Sequence, residues 1–199
     1  MSREVPVRFC EGLAGKFRRS TLRVVLCKGN TERILKGLKT VLSELGLTLN
    51  DEKTHVVDAW HESFSFLGFS IKMSTGLKTG RPYPLTLPSK KAQQHIRSEI
   101  KRLTAERYKA VPTGEVIRRV NEVARGWVGY HRYGNCTDAL SALRNYLVYR
   151  IRIYLRRKHG YHSLGYASYP NSYYFETLGV YEVPTRAPWS HRANTSGRR

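Results

Sequence analysis

Ten basic residues between positions 90 and 157 have the types and spacing to hold a row of phosphates. Lys90, Arg97 and Lys101 stand seven and four residues apart, and Arg118, Arg125 and Arg132 stand seven apart. Arg150, Arg152, Arg156 and Arg157 crowd a third stretch. On a helix, spacings of three, four and seven bring side chains onto one side. A rigid rod carrying cations in this way meets successive phosphates of a nucleic acid. Such contacts supply sequence-independent affinity that falls steeply with salt. Arginine adds a forked donor suited to phosphate oxygens. A charged helix face is more commonly just solvated. Three stripes interrupted by few acids favour phosphate.

Other chemistry has little to stand on. Asp51, Glu52, Lys53 and Asp58 superficially match a nuclease carboxylate–lysine cluster, but a polar turn explains so short a match. The seven histidines give no HExxH pattern and no Cys–His zinc spacing. Cys10, Cys27 and Cys136 lie far apart, with neither a metal-type spacing nor an even disulfide framework. No catalytic residue, metal ligand or cofactor is expected. The cysteine usage fits a reducing, cytoplasmic setting. No stretch approaches the roughly 20 apolar residues of a membrane span, so no membrane partner is expected. The N-terminus carries no apolar secretory core. A net charge of +20, spread along all 199 residues, points to a polyanionic partner, with a ribosomal-protein-like basic surface as the plainer alternative.

The elements that must position the stripes are α+β in class. Residues 1–23 show little periodicity and read as poorly ordered. Residues 24–26 form an apolar run, a short strand. Asn30 or Thr31 then caps a helix carrying Ile34, Leu35, Leu38, Val41, Leu42 and Leu45, which Gly46 ends. Residues 47–49 and 54–58 read as short strands. Phe64, Phe66, Phe69 and Ile71 read as a hairpin with a kink at Gly68. Residues 73–88, rich in Gly and Pro, read as a linker. After it the pattern becomes helical. Ser89, Thr113 and Thr137 are the expected caps of about three amphipathic helices over 89–160, which must pack together to bury their faces. Trp127 and His131 fall on an apolar face and read as core. Tyr130 and Tyr133 could stack on bases or close the bundle, and Tyr146 and Tyr149 stay open between such roles. A Tyr-rich segment from 161 follows, of which 174–183 could fold back, and the end from about 185 reads as disordered.

Six local patterns, in this order, carry a resemblance: VVLCKGN (24–30), GLTLNDEKT (46–54), FSFLGF (64–69), PSKK (88–91), RGWVGYHRYGN (125–135) and LRRKHG (155–160). Together they resemble the second half of a group II intron-encoded reverse transcriptase and maturase, over about residues 24–183. The resemblance implies that 24–72 is a palm remnant and that Phe66, Leu67, Gly68 and Phe69 form a primer-grip-like hairpin. It implies that 89–160 is the thumb, or maturase-specific domain, with group II intron RNA as partner. That family's polymerase holds Mg2+ on a Tyr-Ala-Asp-Asp turn just before the VVLCKG strand. The matching residues here, Arg19, Ser20, Thr21, Leu22 and Arg23, contain no carboxylate. Lys53, whose counterpart approaches the nucleotide phosphates, would then have no site to serve. The expectation is an RNA-binding, maturase-like protein that assists intron folding and splicing without polymerising DNA. Two rivals accompany it. A separately encoded fingers–palm chain could complete a split reverse transcriptase by covering strands 24–26 and 54–57, which have lost sheet neighbours. Alternatively, the chain is a non-functional truncated remnant.

Overall fold

The computed structural model describes residues 6–11, 22–26, 30–49 and 54–186. The chain divides into two compact units, Met1–Thr86 and Leu87–Arg199.

The first unit holds two three-stranded sheets and one helix, the last strand of the second sheet running two residues past its boundary. Strands β1 (Pro6–Glu11), β2 (Leu22–Leu26) and β3 (Thr54–Asp58) are ordered β2-β1-β3. Arg8 stands opposite Val25 on one side and Val56 on the other. Residues 1–23 therefore contain a strand where the sequence suggested no element. The strands at 24–26 and 54–57, expected to lack neighbours, both pair with it. The signal in PVRFCE is only two alternating apolar residues, Val7 and Phe9, too short for periodicity to register.

Helix α1 spans Thr31–Glu44. Asn30 is its cap, accepting from the Arg33 N–H at 3.1 Å. Its end is a paired-bond stop: the Leu47 N–H reaches the Leu42 carbonyl at 2.8 Å and the Gly46 N–H reaches that of Ser43 at 3.0 Å. Gly46 takes the left-handed turn this closure needs, at φ 65°. Residues 47–49 do not form the expected strand, and only Leu49 makes a bridge.

Strands β4 (Phe64–Phe66), β5 (Phe69–Thr75) and β6 (Pro82–Pro88) make the second sheet, ordered β4-β5-β6. Leu67 and Gly68 form a two-residue turn with φ of 47° and 81°. Both angles lie in the region demanded by the primed turns that join twisted strands. Phe66 and Phe69 face each other across it, so the expected hairpin is present, with a tight turn at Leu67-Gly68 in place of a kink. Much of the expected linker over 73–88 is strand as well. Its prolines are tolerated because β6 is an edge strand, where a missing N–H costs no ladder bond on the open side. Ala59 and Phe64 form a small core with Val57, Phe66, Ile71 and Met73.

The second unit is a helical bundle with a long extension packed onto it. Helix α2 (Lys90–Leu103) starts at Ser89, whose hydroxyl accepts from the Ala92 N–H at 3.1 Å. Helix α3 (Thr113–His131) and helix α4 (Thr137–His159) begin without a side-chain cap, so Thr113 and Thr137 do not play the role their types suggested. Gly160 ends α4 in the left-handed conformation, at φ 71°. Helix α2 packs on both α3 and α4. The core includes Ile96, Ile100, Val116, Val120, Leu140, Leu147 and Ile151. Trp127 and His131 belong with this core. The Trp127 indole N–H donates to the Ala92 carbonyl at 3.3 Å, and the His131 ring stacks on Trp127 with centroids 4.3 Å apart.

After α4 the chain returns along the bundle. Tyr174 sits in a π-helical turn (Tyr173–Thr177), and it, Val180 and Val183 are buried in the bundle core. The fold-back over 174–183 is thus real, and the expected disorder beyond it falls largely on 187–199, outside the described residues. No helix among the described residues is long and apolar enough to cross a membrane.

Candidate nucleic-acid interface

Nine of the ten basic residues separate into three groups once their partners are known. Lys90, Arg97, Lys101, Arg125, Arg132 and Arg157 are exposed, and among the described residues none of them forms an ion pair. Three are braced by a ring beneath the guanidinium: Arg97 by Tyr146 at 5.8 Å, Arg125 by Tyr181 at 5.3 Å and Arg132 by Tyr133 at 5.1 Å. A ring below leaves the forked donor edge open to a phosphate.

Arg118 forms the second group. It is exposed, but its guanidinium bonds Glu115 at 2.9 Å and Glu122 at 2.5 Å. Arg119 also reaches Glu115, at 2.7 Å. Hydrogen bonds from Arg118 and Arg119 hold the Glu115 carboxyl down at about 2. Those to Glu115 push Arg118 the other way, above its ordinary value. Its charge is therefore already balanced. Glu99 and Glu182 occupy Arg102 and Arg144 in the same manner. These acids are spent on arginines outside the first group and leave the six cations uncompensated.

Arg150 and Arg152 form the third group and correct the sequence reading outright: neither can reach a phosphate. Arg150 is 8% exposed, and Arg152 2%. Arg150 donates to the Thr104 hydroxyl at 2.9 Å and to the Lys101 and Thr104 carbonyls. Arg152 donates to the carbonyls of Leu164, Gly165 and Tyr169 and to the Asn171 side chain, between 2.7 and 3.1 Å. The rings of Tyr166 and Tyr174 cover it at 4.3 and 4.4 Å. Arg150, Tyr154 and Lys158 recur every four residues, so they stand in one row. That row caps the chain between α2 and α3: Tyr154 bonds the Val111 carbonyl at 3.0 Å, and Lys158 bonds those of Lys109 and Val111. A buried charge needs such acceptors, because an unmet donor there costs far more than a met one gains.

Arg156, the tenth, is half-buried and lines a cavity at the end of α4. One cation was missed. Arg107, in the 3₁₀ turn Glu106–Tyr108, shares an open depression with Lys101. No helical stripe leads to it, because it lies between helices. Tyr130, Tyr133 and Tyr149 are exposed, whereas the Tyr146 hydroxyl bonds the Arg97 carbonyl at 3.2 Å.

The other candidate centres resolve differently. The Asp58 carboxylate accepts from the Trp60 N–H at 2.9 Å and lies 2.6 Å from His61 Nδ1. Those two bonds depress its pKa and close the turn after β3. Asp51, Glu52 and Lys53 lie outside the described residues. Among the described residues no cluster of His, Cys, Asp or Glu could hold a metal ion. Cys136 is fully buried, and burial pushes its thiol up, toward an inert state. The Phe66-Leu67-Gly68-Phe69 hairpin tip presents Leu67 to solvent. A family model described as the group II intron, maturase-specific domain matches residues 93–170, from early in α2 through α4 and into the extension. No curated protein matches the chain.

Proposed function

We propose, from the match of residues 93–170 to the maturase-specific domain of group II introns, that the chain binds a group II intron RNA and favours its folded, splicing-competent form. The observation that carries this is the set of six uncompensated cations, Lys90, Arg97, Lys101, Arg125, Arg132 and Arg157, borne on that domain's helices. A folded RNA packs its phosphates closely. A rigid basic surface that fits the folded arrangement better than open ones shifts the population toward it by the difference in affinity.

In this reading the RNA performs the splicing chemistry and the protein performs none. The hairpin at Phe66–Phe69 and the first unit correspond to the end of a polymerase palm. The sequence before VVLCKG lacks the paired aspartates that would hold catalytic metal. The strongest alternative is a subunit completed by a separate fingers–palm chain, which would cover apolar residues such as Val41 on α1 and Leu45 just after it, both exposed.

The test is binding of the purified chain to folded group II intron RNA and to an unrelated structured RNA of equal length, across a salt series. The reading expects tighter binding to the intron that persists at physiological salt. Equal binding that collapses with salt would leave generic electrostatics.

A further inference from the structure

The charged surface makes no use of the cavity at the end of α4. Arg152, Leu155, Arg156 and His159 share one face of the last turns of that helix. The segment after Gly160 and the π-helical turn fold across that face and enclose a cavity of about 170 Å³. Tyr161, Tyr169 and Tyr173 line it, and among the described residues no carboxylate does. Thr113 and Ser163 bring hydroxyls to its wall.

Two properties of this cavity point to one class of ligand. The first is size and surface. An engineered cavity of about 150 Å³ takes one benzene ring, so this one holds a single six-membered ring and no stacked pair. Its rings are held by neighbouring rings, Tyr169 by Tyr173 at 4.9 Å in a tilted pair and Tyr161 by His159 at 5.4 Å in a stacked one, so a base would lie against their cavity-facing sides rather than between them. The second is charge. Among the described residues Arg156 has no ion pair and no side-chain hydrogen bond, so its guanidinium is unspent. Arg152 is saturated at both terminal nitrogens and serves as a rigid wall. A flat ring attached to an anion satisfies both properties.

We propose that this cavity takes one unstacked pyrimidine nucleotide of the bound RNA, its base among Tyr161, Tyr169 and Tyr173 and its phosphate on Arg156. The assignment rests on the RNA-binding reading above. Single-stranded bases splayed out of a fold are the parts of an RNA that aromatic side chains recognise. The enclosed space suits one ring, and a purine's second ring would have to stay in the mouth.

The test uses the full chain and short single-stranded oligouridylates carrying one central 4-thiouridine, or 6-thioguanosine in its place, irradiated and mapped by mass spectrometry. The expected result is cross-linking of 4-thiouridine to Tyr161, Tyr169 or Tyr173, with 6-thioguanosine much weaker there. Ser163→Trp fills the cavity from an exposed loop position and should cut that cross-link about tenfold, the scale of one lost base stack. Tyr161→Ala should do the same and stands in if the tryptophan variant does not fold. Cross-links confined to α2 and α3, or unchanged in both variants, overturn the cavity assignment while RNA binding stands. An oligomer that does not bind the unaltered chain overturns the cavity assignment, while the comparison with folded intron RNA above decides the RNA-binding reading separately. Saturable binding of free UMP with no oligomer cross-link gives the cavity to a free nucleotide, and overturns the assignment to RNA.

Discussion

Tyr181 donates its backbone N–H to the side-chain oxygen of Asn121 at 2.7 Å. The other end of the same amide donates to the Gly179 carbonyl, also at 2.7 Å. One side chain on α3 thus acts as a strand would, meeting a backbone donor and a backbone acceptor of the returning chain. Asn121→Ala leaves both groups unmet beside the core. It should cost about 1–3 kcal/mol in chemical denaturation, and limited proteolysis should begin to cut within 175–186.

The buried and exposed arginines should respond oppositely to removal. Arg152→Leu strands four acceptors and should destabilise the second unit by about 3 kcal/mol or more, read from urea midpoints. Arg157→Gln should move stability by no more than about 0.5 kcal/mol.

On RNA the order reverses. Arg97→Gln, Arg125→Gln and Arg132→Gln should each lower the salt slope of binding by about 1. Arg118→Gln should barely change it, because Glu115 and Glu122 already balance that charge. The pair Glu115→Gln with Glu122→Gln should raise affinity and steepen the slope, since it releases Arg118.

The Glu115 carboxyl falls from its ordinary 4.5 to about 2 in the folded chain. Its folded pKa lies below its unfolded one, so the stabilisation is present above pH 4.5 and is lost as pH falls through about 2. An acid titration of thermal stability should show a decline across that window, shallower in Glu115→Gln. Added salt should shrink the difference between the two, because the cluster faces water.

Leu67 occupies a left-handed conformation, φ 47°, while 56% exposed. Asparagine tolerates that region better than a branched apolar residue does. Leu67→Asn should raise stability by about 0.5–1 kcal/mol, measured by thermal denaturation. A loss instead would mean that the leucine packs against something worth more than its strain.

Sequence patterning located helices α1 to α4 well, because each carries an apolar stripe at helical spacing. It failed where the signal was short or the partner distant. Strand β1 has two alternating apolar residues, and β6 was hidden by prolines that an edge strand tolerates. Arg150 and Arg152 read as surface residues in a basic stretch. Within Leu147–Tyr154, however, apolar and aromatic residues surround them and only Tyr149 is exposed, and a helix of that kind is enclosed on most sides. An arginine inside such a run is better read as buried, with acceptors supplied by whatever encloses it. Those acceptors are carbonyls at 101–104 and 164–169, which no local pattern could reveal. The partners of Arg118 are legible more simply: Glu115 and Glu122 stand three and four residues away on the same helix.

Because Val180 and Val183 fill the bundle, the helices do not complete their own interior. On the ribosome, α2 to α4 emerge first and wait with a gap beside Asn121. The domain can close only after Val183 has cleared the exit tunnel. Until then its apolar interior stays open to chaperones, proteases or an RNA that arrives early.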